Sequence, residues 1–406
     1  TRPTRNQRRL LGLGLAAVLV TMATLVLLFT PWVDWTQDGP DSAQPGGVPD
    51  GLMLARSTMG GSEIILFESG SWSTLVPDSS IPTWPMFGQN VAPTEEIDKI
   101  VSSAGHQHIA FNVAYCRPAG PVESMDPCDD VTYYYDVGAT QIVQLLFDPD
   151  APPNRQPRSY ALRWLVEGEE LLINQPLGVG LARFIIQSNT TIPYMMPGLE
   201  EPSIGDPKST TADSRIIFDG EYQNGAGHGI WNYVANTVIP LANSSGEMST
   251  MVMPFSPDLS KTAVVVTTYD TSSGEFPSRI MIHDASSGAE IESIPTGLNL
   301  YDFRPTWASE TQIVFLRTAA NTPRAHGSMG RIANILSYDL NTNQVTTFVA
   351  ESDLYTELLV AEGSQSLVFV RGVGSSRKAF SLPIAGGGMS PVVSDSAQHT
   401  ALSWAP

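Results

Sequence analysis

The 406-residue chain predicts an all-β fold: a β-propeller, seven-bladed by count with six or eight also admissible, preceded by one transmembrane α-helix. Three observations carry this. Behind residue 50 no long segment shows a 3.6-residue apolar period; short β-branched and aromatic runs stand between Gly, Pro, Asn, Asp and Ser. Those runs recur at blade-sized spacing. Near the N-terminus, twenty residues carry no charge.

The uncharged segment runs from Leu10 to Phe29. At about 1.5 Å rise per residue it matches a hydrocarbon core of about 30 Å. Arg2, Arg5, Arg8 and Arg9 precede it and Asp34 follows. The positive-inside rule therefore places residues 1–9 in the cytoplasm and the bulk of the chain outside. Arg8, Arg9, Trp32 and Trp35 fall at the membrane interfaces. The competing reading is a cleaved signal peptide, whose apolar core is about 7–15 residues. The longer core and the bulky TPWVDW that follows it favour a retained signal anchor. No cysteine follows it to carry a lipid. A nine-residue cytoplasmic segment leaves no room for a kinase, DNA-binding or cyclase domain. Residues 30–50, rich in Gly, Pro and Asp, read as a flexible tether. That leaves 51–406 as the extracytoplasmic propeller.

Each repeat reads as a turn, a buried strand, a second strand ending near Asp or Gly, and a third strand. FSPDLSKTAVVVTTYD…SRIMIHDASSGAEIESIP at 255–295 shows it best. Further copies span 305–349, 358–393, 100–147, 162–196 and 209–242. The buried strands centre near Met53, Ile109, Leu172, Ile216, Val264, Ile313 and Leu367, spaced 44 to 63 residues apart. The region after the tether lacks an opening strand. The terminal ALSWAP resembles one, as in RPTWAS at 304–309, so the last residues are expected to complete the first blade. Closure of that kind removes an exposed sheet edge.

This organisation resembles the TolB-like propeller repeat of bacterial envelope proteins, over about 51–406. FSPDLSKTAVVV carries the resemblance, with Leu259 where Gly usually follows Pro-Asp. The resemblance implies a fold and brings no catalytic residues with it.

Composition narrows the partners. Setting aside the four N-terminal arginines, 18 basic residues face 41 acidic ones. A body this acidic repels nucleic acid and anionic headgroups and favours cations or basic partners. The lipid bilayer is expected to be met only through residues 10–29.

Ser256 and Asp258 suggest a hydroxyl–carboxylate site, but Ser-Pro-Asp is also plain turn chemistry. WASET, AEGSQ, VEGEE and SAGHQ hold the same place in other repeats, which favours the turn. Cys116 and Cys128, the only cysteines, are expected to form a local disulfide in an exported domain. His106 and His108 alternate along a strand start and should not meet. His228 sits in Gly-rich NGAGHGIW and reads as a loop residue. GVGLARF at 178–184 reads as a strand-connecting turn. No zinc-protease helix, nucleophile elbow or phosphate loop is present, and no cofactor is expected. Asp148 and Asp150 make at most a weak calcium site. The TYYYD run at 132–136 should alternate between core and surface and leave at least one tyrosine exposed. Asn189 and Asn243 open glycosylation sequons.

Long insertions fall at 81–99, 115–130, 195–208 and 318–331. Loops of this length on a rigid scaffold commonly carry binding. The last one places Arg324, His326 and Arg331 on an acidic body, a candidate partner-contact loop. The expected function is a membrane-tethered, non-catalytic scaffold for protein–protein interaction, an accessory subunit working with other membrane-complex or envelope proteins. The alternatives are an extracytoplasmic glycan or ligand receptor and a propeller hydrolase or lyase.

Overall fold

The computed structural model describes residues 48–58, 61–82, 94–116, 128–146, 160–175, 180–195, 214–221, 226–243, 247–248, 255–267, 278–297, 300–319, 332–360, 366–372, 376–384 and 388–404. The expected membrane helix, the tether to residue 47, and Arg8, Arg9, Trp32 and Trp35 lie outside them. Among the described residues no helix is long and apolar enough to cross a membrane.

The fold is a seven-bladed β-propeller. Blade 1 combines β1 (Leu52–Thr58), β2 (Gly61–Glu68) and β3 (Ser71–Val76) with a strand from the far end of the chain. Blade 2 holds β4 (Thr94–Ser102), β5 (His108–Cys116), β6 (Cys128–Asp136) and β7 (Gln141–Gln144). Blade 3 holds β8 (Tyr160–Val166), β9 (Glu170–Gln175), β10 (Gly180–Ile185) and β11 (Thr190–Pro193). The described part of blade 4 is β12 (Arg215–Glu221), β13 (Ala226–Asn232) and β14 (Thr237–Pro240). Blade 5 holds β15 (Glu247–Met248), β16 (Lys261–Thr267), β17 (Ser278–Asp284) and β18 (Glu290–Ser293).

Blades 6 and 7 share one run. β19 (Leu300–Trp307), β20 (Gln312–Ala319) and β21 (Ile332–Asp339) lead into β22 (Gln344–Val360). Within β22 the partner changes: Leu354 faces Ile332 of blade 6, and Tyr355 faces Arg371 of blade 7. β23 (Ser366–Arg371), β24 (Lys378–Pro383) and β25 (Ser390–Pro391) complete blade 7. β26 (Gln398–Trp404) then pairs with β1, from Leu52 opposite Trp404 to Ser57 opposite Gln398. The chain's last strand thus supplies the inner strand of blade 1, as the ALSWAP motif predicts.

Packing explains why the buried runs are so uniformly apolar. A strand's side chains alternate between two faces, and here both faces meet a neighbouring blade. In β1, Met53 and Ala55 join the core shared with blade 2, while Leu52 and Leu54 join the one shared with blade 7. Seven hydrophobic clusters occupy the seven junctions, the one between blades 7 and 1 included. The seven predicted strand centres, Met53, Ile109, Leu172, Ile216, Val264, Ile313 and Leu367, are each 0% exposed. Burying one such side chain contributes about 1.5–3 kcal/mol.

The same geometry corrects the tyrosine expectation. Tyr133, Tyr134 and Tyr135 are all buried. Tyr133 and Tyr135 pack toward blade 1 and Tyr134 toward blade 3. At these three positions neither face of β6 is left to solvent.

Candidate interaction face

Antiparallel strands send successive connections to alternate rims of the ring. One rim carries mostly tight turns, from two residues at Ser69–Gly70 to six at 384–389, with one longer connection at 249–260 that ends in the Ser256 turn. Its chemistry repeats from blade to blade. Asp136 accepts the amide of Ala139 at 2.8 Å, Asn232 those of Val234 and Ala235 at 3.1 and 2.8 Å, and Asp339 those of Asn341 and Thr342 at 2.8 and 3.1 Å. Asp284 accepts from the amides and hydroxyls of both Ser286 and Ser287, at 2.6–3.0 Å. Four positions after each carboxylate or amide stands a residue at positive φ: Thr140, Asn236, Gly288 and Asn343. The side chain replaces backbone partners that a tight turn cannot supply.

Ser256 and Asp258 belong to this rim. The Ser256 hydroxyl donates to Asp258 at 2.6 Å and accepts the Lys261 amide at 3.0 Å. The Ser256 amide donates to the Lys261 carbonyl, and the Leu259 amide to the Ser256 carbonyl. Ser103, His106 and His108 in blade 2 repeat these three backbone-directed bonds with the same spacing. The hydroxyl bonds from Ser256 and then Ser260 hold the Asp258 carboxyl down at about 2, so it is a feeble base for a nucleophile. The hydroxyl and carboxylate serve the turn, as the repeat comparison implies.

Among the described residues the histidines do not converge. His106 faces the Ser102 hydroxyl and His108 the Tyr134 hydroxyl, each at 3.0 Å. Burial, followed by the neighbouring Asp136 carboxylate, pushes the Tyr134 phenol up to about 12. His228 departs from its expected loop: it is 3% exposed on β13, opposite Asp219 in register. Gly180–Ile185, expected in part as a turn, is the third strand of blade 3. Among the described residues no group of three His, Cys, Asp or Glu side chains could hold a metal ion. Asp148 and Asp150 lie outside them. Asn189 and Asn243 are exposed at positive φ.

The opposite rim collects the long connections 77–93, 117–127, 145–159, 268–277 and 320–331, and 194–214 departs from it. The four predicted insertions all leave from it, trimmed where β4, β5, β6 and β20 run further than expected. Cys116 and Cys128 face each other in register at the ends of β5 and β6. Arg324, His326 and Arg331 lie outside the described residues, but the strands that bear their loop do not. A cavity of about 360 Å³ opens there, lined among others by Leu300, Arg317, Ala319, Ile332 and Asn334. Arg317 is fixed by a two-pronged bond to fully buried Asp302, at 2.6 and 2.7 Å.

No protein-family model matches the chain, and no curated protein matches it either. Solved structures do. TolB from Acinetobacter baumannii aligns at 15% identity over 91% of this chain and 86% of its own, with a TM-score of 0.43. Kuenenia stuttgartiensis hydrazine synthase aligns at 12% identity over 73% and 80%, TM-score 0.46. The propeller domain of the Trilobed protease from Pyrococcus furiosus aligns at 11% over 73% and 84%, TM-score 0.42.

Sequence reasoning missed a feature of the inner strands. Against their neighbours the register slips at Ile97/Lys99, Ala161/Arg163, Phe303/Thr306, Tyr355/Glu357 and Ala55/Arg56. A bulge thus recurs at the inner strand of five blades, where extra twist bends the strand around the axis. In β19 it leaves Arg304 at φ +50, paired with Glu357 of blade 7 at 3.3 Å. Bulges leave no period in sequence, so no signal pointed to them.

Proposed function

We propose that the chain is a membrane-tethered, non-catalytic propeller that presents its long-loop rim to a protein partner, as an accessory subunit of a larger membrane or envelope complex. The observation that carries this is the concentration of long connections on one rim: 77–93, 117–127, 145–159, 268–277 and 320–331 lie there, against 249–260 alone on the other among the connections between described strands that begin and end on one rim. Rigid scaffolds concentrate binding in such loops. The acid excess favours a partner with a basic surface. The uncharged Leu10–Phe29 segment behind an arginine cluster supports a single span with the propeller outside the cytoplasm.

The same proposal includes a Cys116–Cys128 disulfide that pins the 117–127 loop. Its support is the direct register of the two positions. In the chain-entropy picture, closing a loop of this size stabilises by about 3 kcal/mol. Alkylation with and without reductant, read by intact mass, tests it. Thiols alkylated without reductant would remove the disulfide from the proposal.

The central test is a pull-down of the full chain under mild detergent, with two altered versions beside it. Arg324→Ser with Arg331→Ser alters the long-loop rim; Asp284→Ala alters the tight-turn rim. A stoichiometric partner kept by the second and lost by the first supports the assignment. A monodisperse monomer, or a partner lost only from Asp284→Ala, refutes it.

A further inference from the structure

The ring has one place where covalent continuity is missing, between β26 and β1 inside blade 1. There, one carboxylate gathers groups from three strands. Asp395, just ahead of β26, accepts Nη1 of Arg56 on β1 at 2.8 Å. It takes Nε2 of His399 on β26 at 3.2 Å and the Ala397 amide at 3.1 Å. Nζ of Lys378, at the start of β24 in blade 7, stands 3.6 Å from it and donates to its carbonyl at 2.8 Å.

His399 is fully buried and both its ring nitrogens are committed. Nδ1 accepts the Ala379 amide of blade 7 at 2.7 Å, so the ring proton sits on Nε2 and points at Asp395. The His399 amide in turn donates to the Arg377 carbonyl at 3.0 Å. Arg56 is held from its other side by Glu63 of β2 at 2.8 Å, and Arg377 reaches Glu96 of blade 2 at 2.5 Å. Each of these charged groups therefore has a partner, and Asp395 is the member that contacts both sides of the break.

We propose that Asp395 is the latch of the ring: it fixes the C-terminal strand in blade 1, and its loss lets β26 part from β1 while the other blades stay folded. The pull of its partners supports this. Burial opposes ionisation of Asp395, yet bonds from His399 and Arg56 and the charge of Lys378 outweigh it and keep the carboxyl at about 2. The latch stands on the long-loop rim, at the connection 392–397. It holds whatever partner that rim takes.

Amide hydrogen exchange on the full chain tests it, with Asp395→Asn compared to the parent and to Asp353→Asn. The last removes an ion pair to Arg371 away from the break. The expected result is at least tenfold faster exchange across 398–404 and 52–58 in Asp395→Asn alone, with 261–284 unchanged. Unchanged exchange at 398–404, or equal acceleration in every blade, overturns the proposal. Should Asp395→Asn not fold, Ala55→Cys with Ala401→Cys, which face each other in register, is added to it. Recovery of the folded ring on oxidation supports the latch, and failure to recover refutes it.

Discussion

The two rims of this propeller are built by opposite rules. On the tight-turn rim, short connections are closed by a side chain of the turn itself, and the same device recurs at Asp136, Asn232, Asp284 and Asp339. Such turns fix where strands end and leave little freedom for change. On the other rim, connections reach seventeen residues at 77–93, and the polar contacts described there join distant parts of the chain, as between Arg56 and Asp395. Stability is invested in one rim, and freedom to diverge is left to the other.

The sharpest way to break this contrast is to substitute one glycine on the tight rim. Gly288 has φ +72, and a Cβ there would lie 2.0 Å from the Pro240 carbonyl oxygen. Gly288→Ala is expected to cost about 3 kcal/mol or more, since left-handed strain and a backbone clash add. Lengthening the 320–331 connection by three residues should cost well under 1 kcal/mol, because loop-closure entropy grows only logarithmically. Urea unfolding of both variants measures the difference. Equal costs would erase the distinction between the rims.

A middle-sized effect belongs to the turn carboxylates. Asp284→Ala removes four hydrogen bonds at an exposed turn and is expected to cost about 1–2 kcal/mol. Its pH dependence has a definite sign. Bonds from Ser286 and then Ser287 hold the folded carboxyl at about 2, below its ordinary value. The stabilisation is present above the unfolded pKa and is lost as pH falls through about 2. Asp284→Asn should flatten the decline of stability between about pH 4 and 2. An identical decline in the variant would show that the turn bonds contribute nothing.

How far these features could be read from residues alone follows the range of the interactions. Strand centres such as Val264 were legible because both faces of a blade are buried, which turns a strand into an uninterrupted apolar run. The Ser256 turn was legible because its bonds close within five residues. His228 was misjudged because glycine signals turns. Gly229 instead marks close approach, since a Cβ there would meet the Phe218 ring at 2.5 Å. The long-loop rim was legible only as a set of insertions. The latch was invisible, since Arg56 and Asp395 are 339 residues apart.

The smallest expected effect tests the motif that first marked the repeat. Leu259 occupies φ +59, a conformation that costs a side-chain-bearing residue about 1–2 kcal/mol. Its partly buried side chain packs on the core shared by blades 4 and 5. Leu259→Ala keeps most of the strain and loses the packing, so it should be destabilising by about 1 kcal/mol. Leu259→Gly also loses the packing but relieves the strain, while gaining freedom in the unfolded chain that costs roughly 0.5–1 kcal/mol. The glycine variant should therefore lie within about 1 kcal/mol of the parent and be no less stable than the alanine one. Denaturation midpoints of the three proteins decide it. A glycine variant clearly weaker than alanine would mean that packing across the blade junction, and not the turn backbone, governs this position, and the tight-turn rim would lose its clearest local rule.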